Sequence, residues 1–303
     1  MKKTGLAIIC AALIASAASM GVFADDGTKV EAGGISFQIP AELADLVIVR
    51  TEGLNDQSLV EVYEKASVEA AEAMGEDYEG AGWLFGISRM PEEQVKELRC
   101  GSMDGMEIFA ENDDTFLIYT HPTDVRMVRE NTEEMTKDQE QWSELNRWAS
   151  ENVRQEILAN NEEYELEFYT NTDLDIYLSR AAYGKDTSFV LRSLDFGELG
   201  DLDPKMIDED DFIEDLAENY VYEYAADEEA PDGEYFVLYF ADDDIRFDFF
   251  KADENLIREV RTFDGEEYET LYRANAKEAD DAQTSTTSIV KEWCQEIADH
   301  IKG

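Results

Sequence analysis

His121, Asp124 and Arg126 fall within the run HPTDVR and bring together an imidazole, a carboxylate and a guanidinium. Those types at that spacing could serve as base, orienting group and anion clamp in a hydrolase. Pro122 and Asp124 equally favour a turn, which would leave His121 half-exposed where two strands meet. The other histidine, His300, closes the last helix, where the dipole favours a cation. With two histidines in the chain there is no histidine-rich metal cluster. Hard oxygen ligands for calcium could come from Asp208, Asp210 and Asp211 around Glu209, and from Asp242 and Asp244 around Asp243. Neither group has EF-hand spacing, and adjacent carboxylates on one element point in different directions. There is no G-x-S-x-G elbow, no S-x-x-K and no glycine-rich phosphate loop.

Charge narrows the partners. The chain holds 72 Asp and Glu against 25 Lys and Arg, a formal charge of -47. Such a surface repels phosphate backbones and anionic lipid, so nucleic acid and direct membrane binding are disfavoured. The natural counterparts are calcium, a cationic ligand or a basic patch on another protein. Hydrophobic residues make up 44% and aromatics 11%, enough for a packed core.

Residues 1–24 read as a cleavable signal peptide. Lys2 and Lys3 precede a run without charge from Leu6 to Phe23, and Val22 and Ala24 sit at the processing positions before Asp25. Export would make the mature protein secreted, with no membrane insertion after cleavage. Cys10 leaves with the signal, and Cys100 and Cys294 remain. In an oxidising exterior they could pair, closing a loop of roughly 195 residues and stabilising by up to about 5 kcal/mol. They could equally be small core residues.

The elements that must position these groups follow from periodicity. GISFQIP alternates and stops at Pro40, as a strand does, and Leu46–Val49 gives a second. Leu59, Val62, Tyr63, Ala66, Ala70 and Met74 recur at helical spacing, predicting a helix from Asp56 to Met74 ended by Gly75. Ala81–Arg89 reads as a strand, Pro91 opens a short helix, and Met106–Ala110 with Phe116–Thr120 form a hairpin around Asn112. Val125–Arg129 is expected to continue the sheet. A capping signal at Asn131 and Glu134 starts a long amphipathic helix through Trp142, Leu145, Ala149, Val153 and Ile157.

After residue 160, Thr172 caps a helix over Asp173–Tyr183, and a strand follows at Ser188–Leu194. A helix in Met206–Asn219 precedes a meander of Tyr220–Ala225, Tyr235–Phe240, Ile245–Phe250 and Leu256–Phe263. Glu267–Tyr272 reads as an edge strand, Ala274–Thr287 as a linker, and Ile289 to Ile301 as a docking helix.

The pattern predicts an α+β fold of two antiparallel sheets covered by amphipathic helices: module 1 over 25–160, module 2 over 161–275, then linker and helix over 276–303. The segments DTFLIYTHPTDVRMVRE and DDIRFDFFKADENLIREV could be equivalent strands of a tandem duplication. GISFQIP resembles the opening of Mog1/PsbP-like domains across residues 33–160, which implies an antiparallel sheet under helices and carries no functional residue over. The functional expectation is a secreted, non-enzymatic binding or interaction module for a protein or cationic ligand. The rivals are a hydrolase using His121 and Asp124 and a calcium-stabilised structural protein.

Overall fold

A computed structural model describes residues 27–75, 80–112, 115–167, 169–184, 188–193, 195, 201–206, 211–277 and 284–303. The stretch read as a signal peptide lies outside them, and no helix among the described residues is long and apolar enough to cross a membrane. The chain divides into two compact units, one of residues 1–91 with 104–167, the other of residues 92–103 with 168–303. Both are antiparallel sheets with helices, so the α+β class expected from the periodicity is the class observed.

The first unit opens on a hairpin of β1 (Thr28–Ala32) and β2 (Ile35–Ile39), in which Phe37 and Ile39 turn inward at alternate positions. A single helical turn, α1 (Ala41–Ala44), leads to β3 (Val47–Arg50). Next come β4 (Ser58–Glu64), α2 (Lys65–Met74) and β5 (Trp83–Pro91). The hairpin of β6 (Met106–Glu111) and β7 (Thr115–Thr120) follows, then α4 (Thr132–Glu151) and α5 (Val153–Asn160), then β8 (Glu165–Leu166). The helix between β5 and β6, α3 (Glu92–Arg99), belongs to the second unit. The six strands run β3-β4-β5-β7-β6-β8. Phe37, Phe85, Tyr119 and Trp148 form the aromatic centre of the core, with Phe85 and Tyr119 stacked at 5.5 Å and Trp148 edge-on to Phe85 at 5.8 Å. Asn131 caps α4 by accepting from the Glu134 backbone N–H at 3.0 Å.

Two expectations for this unit are corrected. The helix predicted from Asp56 begins at Lys65, because SLVEVYE buries Val60, Val62 and Glu64 on one face with a period of two. Its β-branched residues suit a strand hydrogen-bonded on both edges. Val125–Arg129 does not continue the sheet either. This segment runs as irregular chain, held by the Arg126 carbonyl on Gly82 N at 2.7 Å and by the buried side chain of Arg129.

The second unit contains α6 (Asp173–Tyr183), β9 (Val190–Ser193), α7 (Asp211–Glu218) and β10 (Tyr220–Tyr224). The meander follows as β11 (Tyr235–Phe240), β12 (Ile245–Phe250), β13 (Leu256–Phe263) and β14 (Glu266–Ala276), and α8 (Thr286–Lys302) closes the chain. Strand order is β10-β14-β13-β12-β11-β9. Phe236, Leu238, Phe247, Phe249, Ile257 and Tyr272 pack with Leu178, Leu216, Val290, Trp293 and Ile297 of the helices. The docking of the last helix is therefore internal to this unit.

Here too the structure corrects the reading. The stretch expected as an edge strand is the interior β14, and the expected linker shortens because β14 runs to Ala276, where Ala274 is buried opposite Tyr222. The strand orders of the two sheets differ, and the segments read as equivalent are not: 114–130 holds one strand, 243–260 two.

Cys100 and Cys294 are free thiols, so of the two readings open to them, a bridge or small packed residues, the bridge is not formed. Cys100 Sγ lies 3.3 Å from the Lys96 carbonyl and 3.4 Å from that of Ser179, while Cys294 is fully enclosed in the core. Burial pushes the Cys294 thiol up to about 12, and burial raises Cys100 as well. Since the thiolate is the reactive form, Cys294 should resist alkylation at pH 8 in the folded protein and label once the chain is denatured. Mass spectrometry of the oxidised protein should show both thiols retaining their hydrogens; an internal disulfide would overturn this packing.

Candidate functional site

The sequence TFDGEEY carries the signal of a two-residue hairpin. Asp264 and Gly265 both adopt positive φ, 54° and 82°, as a turn matching the twist of the flanking strands requires. That turn sets Phe263 opposite Glu266 and Arg261 opposite Tyr268. Because side chains alternate, the sheet face carrying Ile257 and Tyr272 into the core also carries Glu259, Arg261 and Phe263 on β13, and Glu266, Tyr268 and Thr270 on β14. Tyr224 joins the same face, opposite Tyr272.

Towards the hairpin tip this face is open. Tyr224, Phe263 and Tyr268 are 63%, 64% and 53% exposed, whereas most large apolar side chains in the unit are buried. Three aromatics on one uncovered face form a surface patch rather than scattered singletons.

Polar groups order the patch from beneath. The Tyr272 hydroxyl donates to Glu259 Oε2 at 2.6 Å, and the Tyr224 ring lies against Tyr272 at 5.3 Å. Glu259 is buried, yet its second oxygen lies 2.7 Å from Arg261 Nη2, which also reaches Asp173 Oδ2 at 2.9 Å. The carboxylate is thus paired and hydrogen-bonded rather than left alone in a dry site. Burial, then the Glu259 hydrogen bond, pushes the Tyr272 phenol far above its ordinary value; burial and Asp173 push Tyr224 up. Both phenols remain neutral at physiological pH.

Beside the rings lie the exposed carboxylates of Glu266 on this face and Asp264 at the turn, while Glu267 and Glu269 project from the opposite face, where Glu269 lies 3.4 Å from Arg258. Aromatic faces present negative quadrupole density, so rings and acids together favour an ammonium or guanidinium group.

The candidates singled out in the sequence lie elsewhere. His121 is half-exposed, its Nδ1 3.1 Å from the Pro122 carbonyl and its Nε2 3.8 Å from Glu107, a carboxylate also paired with Arg154. Asp124 forms an ion pair with Arg126 at 2.6 Å, so the expected base and its orienting group are engaged separately. Asp244 accepts from the Tyr239 hydroxyl at 3.1 Å, and Asp242 from Ser188 at 3.4 Å, both at the β11–β12 turn. Asp208 and Asp210 lie outside the described residues, as does the side chain of Asp211. Among the described residues no three His, Cys, Asp or Glu side chains converge as a metal site.

Sequence reasoning placed Tyr224 and Phe263 in strands and Tyr268 in an edge strand, without marking them as functional. The available signal was their common parity, which has meaning only once the covered part of each face is known.

No family model, curated protein or solved structure matches this chain. The resemblance of GISFQIP to Mog1/PsbP-like domains therefore rests on those residues alone.

Proposed function

We propose that this protein is a secreted, non-enzymatic binding module that takes a cationic extracellular ligand on the aromatic and acidic face of its second unit. The observation that carries this reading is the exposure of Tyr224, Phe263 and Tyr268 on one face beside the exposed carboxylates of Asp264 and Glu266. A signal-like N-terminus supports secretion, and the charge of -47 supports attraction of cationic partners and disfavours nucleic acid and anionic membranes. The separate engagement of His121 and Asp124 favours binding over hydrolysis as the protein's task.

The test is fluorescence anisotropy of a labelled nonapeptide alternating lysine and threonine, beside a glutamate–threonine control. The lysine peptide should bind, and affinity should fall as salt is raised. Replacing both Phe263 and Tyr268 by alanine should weaken binding by about tenfold, since each exposed cation–π contact is worth roughly 0.5–1 kcal/mol. The side chains are already exposed, so the variant should unfold near the wild-type temperature. Equal affinity of variant and wild type, or equal binding of the acidic peptide, would refute the assignment.

A further inference from the structure

The outer edge of β14 is only partly used. β10 pairs with β14 from Tyr272 to Ala276 and ends at Tyr224, whereas β13 pairs with β14 along its length from Glu266 to Arg273. Among the described residues no strand lies beside Glu266–Thr270 on the side away from β13. The direction of the backbone groups follows from their neighbours. The Leu271 carbonyl accepts from Ala225 N at 2.8 Å on the β10 side, while Ala274 N donates to Asn255 on the β13 side at 2.9 Å. Backbone groups alternate between edges, so Glu267 and Glu269 present their N–H and C=O outward, in line with β10. They form a ready-made template for another strand.

We propose that the cationic ligand is an extended peptide segment that adds to this edge as a further strand, continuing the line of β10 along Glu266–Thr270. This deepens the cationic-ligand reading and rests on it. Main-chain bonds to Glu267 and Glu269 hold the segment, and alternate side chains meet the two faces of the sheet. On one face lie Tyr268 and Glu266, with Phe263 and Tyr224 near them; on the other lie Glu267 and Glu269.

Charge selects the occupant. Three of the five edge residues are glutamates, and the chain carries -47 overall. A second copy would bring the same glutamates against themselves, where like charges on opposed strands are destabilising. A strand with lysine or arginine at alternate positions meets a carboxylate on either face and an aromatic ring on one.

Two comparisons test the idea on the whole secreted chain. The lysine–threonine nonapeptide is measured against the same peptide N-methylated at every residue, which keeps its charge and removes its backbone donors. The second comparison sets Glu269→Pro beside Glu269→Gln. Proline removes an N–H that faces outward, a position where strands tolerate it, while glutamine removes the charge alone. The methylated peptide should bind at least about tenfold more weakly, and Glu269→Pro should lose markedly more affinity than Glu269→Gln while keeping the wild-type circular dichroism.

If both peptides bind equally well, strand addition is wrong and the cationic reading survives. Should neither bind the wild type, both fall. If the chain instead forms dimers that Glu269→Pro dissolves in sedimentation, the occupant of the edge is a second copy and the peptide proposal is overturned.

Discussion

Replacing Arg129 by alanine should destabilise the protein by about 3–5 kcal/mol, because it would strand a buried carboxylate. Arg129 Nη2 lies 2.6 Å from Glu64 Oε1 and Nη1 lies 3.0 Å from Oε2, a two-point contact with a side chain of zero exposure. Nη1 also donates to Ser67 Oγ at 2.9 Å and to the Val128 carbonyl at 2.7 Å, while Nε donates to Asp138 at 2.8 Å. Ser67 in turn donates to Glu64 and accepts from Val128 N at 2.9 Å. With the guanidinium gone, the buried Glu64 carboxyl would lose its ion pair and two hydrogen bonds with no water to replace them, which costs free energy.

A double-mutant cycle gives a second readout. In urea unfolding the double variant Glu64→Gln with Arg129→Met should lose less than the two single losses summed. A loss under about 1 kcal/mol for Arg129→Ala would show that water reaches the pair and that the network is not what holds residues 121–131 in place.

Gly82→Ala should cost about 2–4 kcal/mol, combining left-handed backbone strain with a steric clash. Gly82 has φ of +72°, and a Cβ there would stand 2.5 Å from the Glu64 carbonyl oxygen and 2.9 Å from Ser67 Cβ. Neither neighbour is the free end of a flexible side chain. Gly82 O also accepts from Glu64 N at 2.6 Å, and Gly82 N donates to the Arg126 carbonyl, so relief by backbone movement would break both bonds. Gly75→Ala is the control: φ is +67° there and a Cβ would meet nothing, so only the strain of about 1 kcal/mol should appear in thermal unfolding. Equal losses for the two variants would mean the close approach at Gly82 relaxes without cost.

Most elements of the second unit were legible because local chemistry and global packing agree there. Thr172 caps α6 through a reciprocal bond with Asp175, and β10 to β13 appear where alternation and turn residues predict them. The error at Ser58–Glu64 arose where two periods fit the same letters. Leu59, Val62, Tyr63 and Ala66 satisfy a helix, yet Val60, Val62 and Glu64 satisfy a strand with an inward carboxylate. A glutamate pointing into a core argues against a strand until its partner is known, and that partner lies 65 residues away.

The candidate surface was hidden for a related reason. DG between alternating residues fixes a hairpin, so the sequence placed Phe263 near its turn, but exposure depends on where the helical cover stops. His121 and Asp124 stood out because they are adjacent in the chain, and separate partners engage them in space.

By itself, the sequence determined the acidity, the leader-like N-terminus, the α+β class and most strands and helices, since composition, periodicity and capping act over a few residues. Only the tertiary structure decided that β14 is interior, that Glu64 meets Arg129, that the two cysteines stand apart, and that three aromatics with half a strand edge stay uncovered. Each of these depends on which distant segments meet, and pairings over long loops are chosen by the packing and hydrogen bonding of the whole unit rather than by any local run of residues.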